Sequence, residues 1–359
     1  MQKNICLLLI GWLMVGTWGS GFAASVEEVV KKASALSGAE RKTFLEEGAK
    51  KEGEIVFYTS LSLTDYPKIL PHFERAYPFL KTNTYRATPS GLFTRVDTEA
   101  RAGRFAADVI GSAPVEMWQL KQRKLSAPYL SPERRALQPG SFDPEGFWQA
   151  FDVTPLVLGF NTKQVSAGDA PRSYADLLHP KWKGKMSLGT EEYTWFNVLL
   201  ETMGKAKGNE LMQGLAKQDL AMPGSSSVMR VQLMLAGESA IAIAARGRRV
   251  SEYKQQGAPI DYRVLDPYAG EPNFVTLMQR APHPFAAVLF IDWMLSEEGQ
   301  TRMAEVGRLS VRRGIKHRAW VQELFQKDFV FLSPSSIGPN LNDTIDQYNR
   351  IFGVQRRTK

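Results

Sequence analysis

Short apolar runs alternate with longer amphipathic stretches through most of the chain. Residues 25–53 read as two helical pieces. Ser37 with Glu40 three positions on has the pattern of a capping box, and Gly53 fits a C-terminal stop. The β-rich run EIVFYT at 54–59 predicts a buried strand. A helix is expected over 64–77, a strand over 81–87, and a helix over 90–103 closed by Gly103. A short strand at 107–110 and a helix at 115–123 follow. This alternation argues for a parallel sheet with helices on its faces.

Residues 151–161 form a long apolar run with Pro155 and Gly159 inside it. Proline cannot donate to a central ladder, so an edge or crossing strand is expected. A second alternating set comes next, with strands at 186–188, 239–245 and 261–265 and helices at 194–203, 225–236 and 248–256. The apolar run 274–279 is placed to carry the chain back. Pro284 opens a helix at a favoured position, with Phe285, Val288, Ile291 and Leu295 on one face. One more helix spans 340–352. There is no internal repeat. The expected class is α/β: two Rossmann-like lobes joined by two crossing hinge strands. Residues 24–153 with 280–359 make the first lobe and 154–279 the second. Ligands of such sheets bind outside the carboxyl ends of the strands. The site is therefore expected in the cleft between the lobes, with the crossing strands as hinge.

The first 23 residues stand apart. Lys3 gives a positive start, an apolar stretch runs from Ile5 to Trp18, and small residues surround Ala23. That is the pattern of a secretory signal, cleaved after Ala23 or Ala24, which implies a periplasmic mature chain. The apolar stretch is about 14 residues, short of the ~20 needed to span a bilayer. The single cysteine, Cys6, lies inside it, so no disulfide framework, thiol nucleophile or cysteine-based zinc site is expected beyond it. The four histidines are scattered without an H-x-x-x-H pair. Composition is that of an ordinary globular protein, 43% hydrophobic and 23% charged. The formal net charge of +8, one less without Lys3, fits weak steering of anions.

Several stretches carry a resemblance. Residues 173–184 (SYADLLHPKWKG), 281–300 (APHPFAAVLFIDWMLSEEGQ), 158–162 (LGFNT) and 235–238 (LAGE) resemble bacterial solute-binding proteins of the ferric-iron-binding type. The resemblance spans nearly the whole mature chain. It implies a type 2 periplasmic binding fold that closes on its solute and delivers it to an inner-membrane ABC permease. The family's iron binders carry two adjacent tyrosines just after the strand that corresponds to 239–245. Here that stretch reads AARGRR, residues 244–249. A guanidinium cannot ligate a cation. It clamps carboxylate or phosphate with parallel hydrogen bonds. The expected solute is therefore a small organic anion: a carboxylate, a phosphonate or a sugar phosphate.

The candidate contacts follow from position. Thr59, Ser60 and Ser62 come after the first strand, and Ser112 after the third. Each also suits ordinary helix capping. Ser226 and Ser227 precede a helix whose N-terminus is a ready anion site. Arg246 and Arg248 stand at another predicted helix start. Cations oppose the macrodipole there and ask for a compensating anion. Tyr193, Thr194 and Trp195 occupy a loop-to-helix junction beside Glu191 and Glu192. The two glutamates suit an anion that also carries an amine or hydroxyls. Tyr268 and Asn273 lie on the return crossing. Two alternatives stay open: a ferric-ion binder with a non-standard ligand set, and a sensor subunit presenting its ligand to a receptor. No G-x-S-x-G, P-loop or H-E-x-x-H motif is present, so no enzyme is expected. No cofactor, metal or nucleic-acid partner is expected either, and the chain is expected to be a monomer.

Overall fold

The computed structural model describes residues 24–325 and 327–354. The expected export signal and its cleavage point at Ala23 lie outside the described residues.

The chain opens with helices α1 (Val26–Ala35) and α2 (Gly38–Glu52). The capping box forms one helix earlier than expected, with the Ser25 hydroxyl and the Glu28 carboxylate serving each other's backbone N–H groups. Ser37 makes no such bond. Gly53, at φ 73°, ends α2 and turns the chain into β1 (Glu54–Thr59). Then follow α3 (Tyr66–Ala76), β2 (Lys81–Arg86), α4 (Pro89–Arg101), β3 (Val109–Ser112), α5 (Pro114–Gln122) and β4 (Ser126–Ala127). β1 pairs in parallel with both β2 and β3.

The long strand β5 (Gln149–Asn161) is the first crossing. Its first half pairs antiparallel with the return strand, and its second half joins a different set of strands. Pro155 lies at that changeover, opposite Gly270. A residue without an N–H is tolerated there because the ladder is being exchanged.

The second lobe holds β6 (Met186–Ser187), α6 (Tyr193–Met203), α7 (Lys205–Ala216), α8 (Ser227–Ala236), β7 (Ile241–Arg246), α9 (Gly247–Gln255) and β8 (Ile260–Arg263). β9 (Ala269–Met278) crosses back and pairs with β3 and β5. The strand order is β2-β1-β3-β9-β5-β7-β6, so β9 and β5 sit between the lobes. This is the expected two-lobed α/β architecture.

Helix α10 (Pro284–Leu295) was expected to bury one face but is buried almost all round. Helix α2 covers its outer side, and Gly48 makes the approach close. A Cβ there would lie 2.1 Å from the Phe285 ring. After α11 (Glu297–Glu305) come α12 (Ala319–Gln322), β10 (Val330–Phe331), α13 (Pro334–Ile337) and α14 (Leu341–Phe352). The tail departs from the expectation that placed all of 280–359 in the first lobe. α13 rests on α5, but α14 packs on α6 and α7 of the second lobe. Buried Tyr348 anchors it there against Tyr193 and Phe196, and its hydroxyl donates to the Gly189 carbonyl at 2.5 Å.

Candidate functional site

β7 ends at Arg246, and the chain turns at Gly247 directly into α9. Gly247 is packed tightly, with a Cβ there 3.0–3.2 Å from Leu324, Val157 and Pro155. This fixes Arg246 and Arg248 on either side of a position that admits little bulk. Both line a cavity of about 220 Å³. Asp152 and Thr154 of the crossing strand, Ser227 and Val228 of α8, Arg249 and Glu252 of α9, and Arg308 complete most of its wall. The cavity therefore lies between the second lobe, the hinge and the segment after α11.

Four arginines on one small cavity would repel each other without carboxylates beside them. Each has one. Arg246 meets Glu192 at 3.3 Å and Glu271 at 3.0 Å. Glu192 also pairs at 2.6 Å with Arg230, whose side chain is fully buried. Arg249 pairs with Glu252 at 2.6 Å. Arg248 donates to both oxygens of Asp65, at 3.1 and 3.4 Å. Arg308 donates to Asp65 at 2.9 Å and to Asp152. Asn273 holds the other Asp152 oxygen at 2.6 Å. Burial alone would raise the Asp65 carboxyl, but Arg308 and Arg248 overcome it and hold it below the usual value. Burial pushes the Glu271 carboxyl up against the pull of Arg246.

The structure divides the expected site residues. Ser227, Arg246 and Arg248 line the cavity. The Ser227 hydroxyl accepts from the Arg246 N–H at 3.1 Å. Asn273 reaches the site through Asp152, and Thr194 lies near Glu271, whose carboxyl it helps to lower. Thr59, Ser60, Ser62 and Ser112 sit at the carboxyl ends of β1 and β3, outside this lining. The Thr59 hydroxyl caps the Leu61 N–H, Ser60 bonds the Gly111 carbonyl, and Ser62 pairs with Thr64. Ser226 is the N-cap of α8 and accepts from the Met229 N–H. Three expectations need correcting. Trp195 is buried and donates to the Tyr174 hydroxyl, so it is core. Tyr268 is buried with its hydroxyl on the Leu324 carbonyl. Tyr193 turns towards α14, onto Tyr348 and Asn349. Asp65, Asp152 and Arg308 were not anticipated. Their sequence neighbourhoods carry no motif, and only the fold brings 65, 152, 248 and 308 together.

Glu116, in the first turn of α5 beyond Ser112, is nearly buried, and one of its carboxylate oxygens has no hydrogen-bond partner. Burial pushes its carboxyl up to about 7. Burial likewise raises Glu52 to about 7, and a hydrogen bond from His283 to Asp108 raises the imidazole. In all three the folded state holds its proton more tightly than the unfolded chain. The stability they contribute is present at acid pH and is lost as pH rises, for the glutamates between 4.5 and about 7. Urea midpoints are therefore expected to fall from pH 5 to 8. Glu116→Gln should flatten the decline by about 2–3 kcal/mol, at ~1.4 kcal/mol per unit. An unchanged pH profile in that variant would refute the assignment.

Residues 108–324 match the family described as bacterial extracellular solute-binding protein. Iron uptake protein A2 of Synechocystis sp. is 23% identical over 248 residues, 63% of this chain and 70% of that protein. Among solved structures, Trichodesmium IdiA (FutA), in complex with iron and citrate ligands, aligns with a TM-score of 0.72 at 19% identity. The alignment covers 83% of this chain and 99% of the other. AfuA from Actinobacillus pleuropneumoniae, with exogenous fructose-6-phosphate bound, aligns with a TM-score of 0.70 at 21% identity, over 85% and 100%.

Proposed function

We propose that this chain, which belongs to the family of bacterial extracellular solute-binding proteins, captures a small organic anion in the periplasm and hands it to an inner-membrane ABC permease. The reading rests on one observation: Arg246, Arg248, Arg249 and Arg308 converge on a single cavity beside the hinge strand β5. Planar guanidinium forks are suited to carboxylate and phosphate. The carboxylates beside them lower the net charge of the pocket. That favours a solute whose anionic head is accompanied by hydroxyls or an amine, such as a hydroxy-acid, a phosphonate or a sugar phosphate. The sugar phosphate bound to AfuA, a protein of the same fold, supports that class. Binding closes the lobes about β5 and β9, and no bond is made or broken.

Ferric ion is the second reading, favoured by the relatives named for iron uptake. One feature of the site stands against it: Arg246 ends β7 and Arg248 and Arg249 follow, where the resemblance places an adjacent tyrosine pair. Titration of the mature chain with ferric citrate is expected to give no visible phenolate-to-iron charge-transfer band. A stoichiometric coloured complex that survives a weak chelator would replace the anion reading with the iron one.

A further inference from the structure

A second cavity, of about 210 Å³, lies in the first lobe at the amino end of β3. None of its lining residues lines the arginine cavity. The last turns of α4, the loop 104–107, the end of β9 and the two residues Lys124 and Leu125 after α5 form its wall. The floor is apolar, with Val96, Ala107 and Met278 buried and Phe105 and Leu125 half-buried. Arg104, Lys124 and Arg280 stand exposed around it. Among the described residues, none of the three has a carboxylate within ion-pair distance. The cleft arginines, by contrast, each have one. The acids nearest this second cavity are already taken. Asp97 meets Arg101 at 2.7 Å and Arg123 at 3.7 Å. Glu99 accepts from Arg95 at 2.7 Å and from the Tyr58 hydroxyl at 3.0 Å. Arg104 and Lys124 follow the C-terminal ends of α4 and α5, where cations are favoured, but the two ends together carry only about one negative charge. Arg280 follows a strand, with its guanidinium 4.7 Å from the Phe105 ring centre. Lys124 adds an independent sign. Gly103 ends α4 at φ 70°, as a stop residue usually does, whereas the same position after α5 is Lys124 at φ 55°. A side chain is disfavoured in that region, so the charge is placed there at a conformational cost.

We propose that this cavity is a second binding site, for a small aromatic carboxylate. The three uncompensated cations supply the partners for its charge, and the apolar floor takes its ring. Met278 suits that floor, because thioether sulfur packs favourably against aromatic rings. A cavity of about 150 Å³ accepts a benzene ring. The 210 Å³ available here therefore admits a benzoate-sized ligand. The site is separate from the cleft and does not depend on what the cleft binds.

The test follows methionine methyl signals in the purified chain by NMR. Met278 lines this cavity, whereas Met229 and Met234 sit on α8 of the second lobe. Met278→Leu assigns its signal. Benzoate is expected to move the Met278 methyl in a saturable titration and to leave those of Met229 and Met234 in place. Benzyl alcohol has the ring without the charge, and acetate the charge without the ring. Each is expected to bind at least about tenfold more weakly than benzoate. Joint Arg104→Gln and Arg280→Gln substitution is expected to weaken benzoate by about 3- to 30-fold and to remove most of its salt dependence. Both side chains are exposed, so the other methyl signals should keep their places in that variant. A Met278 signal that benzoate leaves unmoved overturns the site. Equal binding of benzyl alcohol also overturns it, by reducing the three cations to a solvated edge, and equal binding of acetate does so by removing any part for the floor. A shift confined to Met229 and Met234 would place benzoate in the cleft and overturn the second site as well.

Discussion

Glu192→Ala is expected to destabilise the chain by about 3–5 kcal/mol, the range for removing one partner of a buried ion pair. Glu192 is 2% exposed, and the Arg230 side chain is fully buried. The Arg230 guanidinium has two anchors, Glu192 at 2.6 Å and the Ala244 carbonyl at 3.3 Å. Its Nε and Nη1 atoms have no hydrogen-bond partner. Deleting Glu192 leaves that cation with one carbonyl and takes a carboxylate from Arg246 as well. The loss would be largely the cost of stranding a charge, so the paired substitution Glu192→Leu with Arg230→Met should recover most of it. Glu192→Gln keeps the shape and one acceptor and should fall between. Urea unfolding of the three variants checks the order. A loss under about 1 kcal/mol in Glu192→Ala would mean that water reaches Arg230.

Arg248→Ala is expected to cost the anion about 2–5 kcal/mol of binding where the pair is desolvated. That corresponds to a roughly 30- to several-thousand-fold loss of affinity. The Arg248 side chain keeps 27% of its exposure, which places the effect in the lower half of that range. Lysine at this position should restore only part, because it lacks the planar fork. Arg248 is a cleaner probe than Arg246. Arg246 already holds Glu192 and Glu271, so its removal mixes stability with affinity. Calorimetric titration of the best binder among malate, phosphonoacetate and glucose 6-phosphate distinguishes them. Retention of affinity within about threefold, under ~1 kcal/mol, would reduce Arg248 to a surface charge.

The fold was legible because its strands are apolar runs and most of its helices carry clear ends. Four helices escaped notice: α12 and α13 are only four residues each, and α7 and α11 have glycine inside them. Interior glycine argues against a helix on propensity grounds. Here contacts require it: Gly208 lies against Leu200, Gly214 against Leu178, and a Cβ on Gly299 would lie 2.1 Å from the Trp293 carbonyl. The site was legible only in part. Arg246 and Arg248 stood out because cations at a helix start are unfavourable. The compensating anions that this implies are supplied by the protein itself, from positions 65, 192 and 271, which no spacing rule connects. Trp195 and Tyr268 were expected as ligand contacts and are core. An aromatic at the start of a helix reads the same in sequence whichever way the fold turns it. The hydroxyls of Thr59, Ser60 and Ser62 follow β1 where strand ends predict, but their bonds are to nearby backbone or to one another, and the buried Ser112 hydroxyl at the end of β3 has no hydrogen-bond partner.

The central claim is that the cleft holds a small organic anion through its arginines. Native mass spectrometry of the purified chain tests it most directly. One adduct per chain is expected, with the mass of an organic acid, phosphonate or sugar phosphate, and its loss from Arg248→Ala. An adduct with the mass of iron would contradict the anion reading, as would an organic adduct retained undiminished by Arg248→Ala.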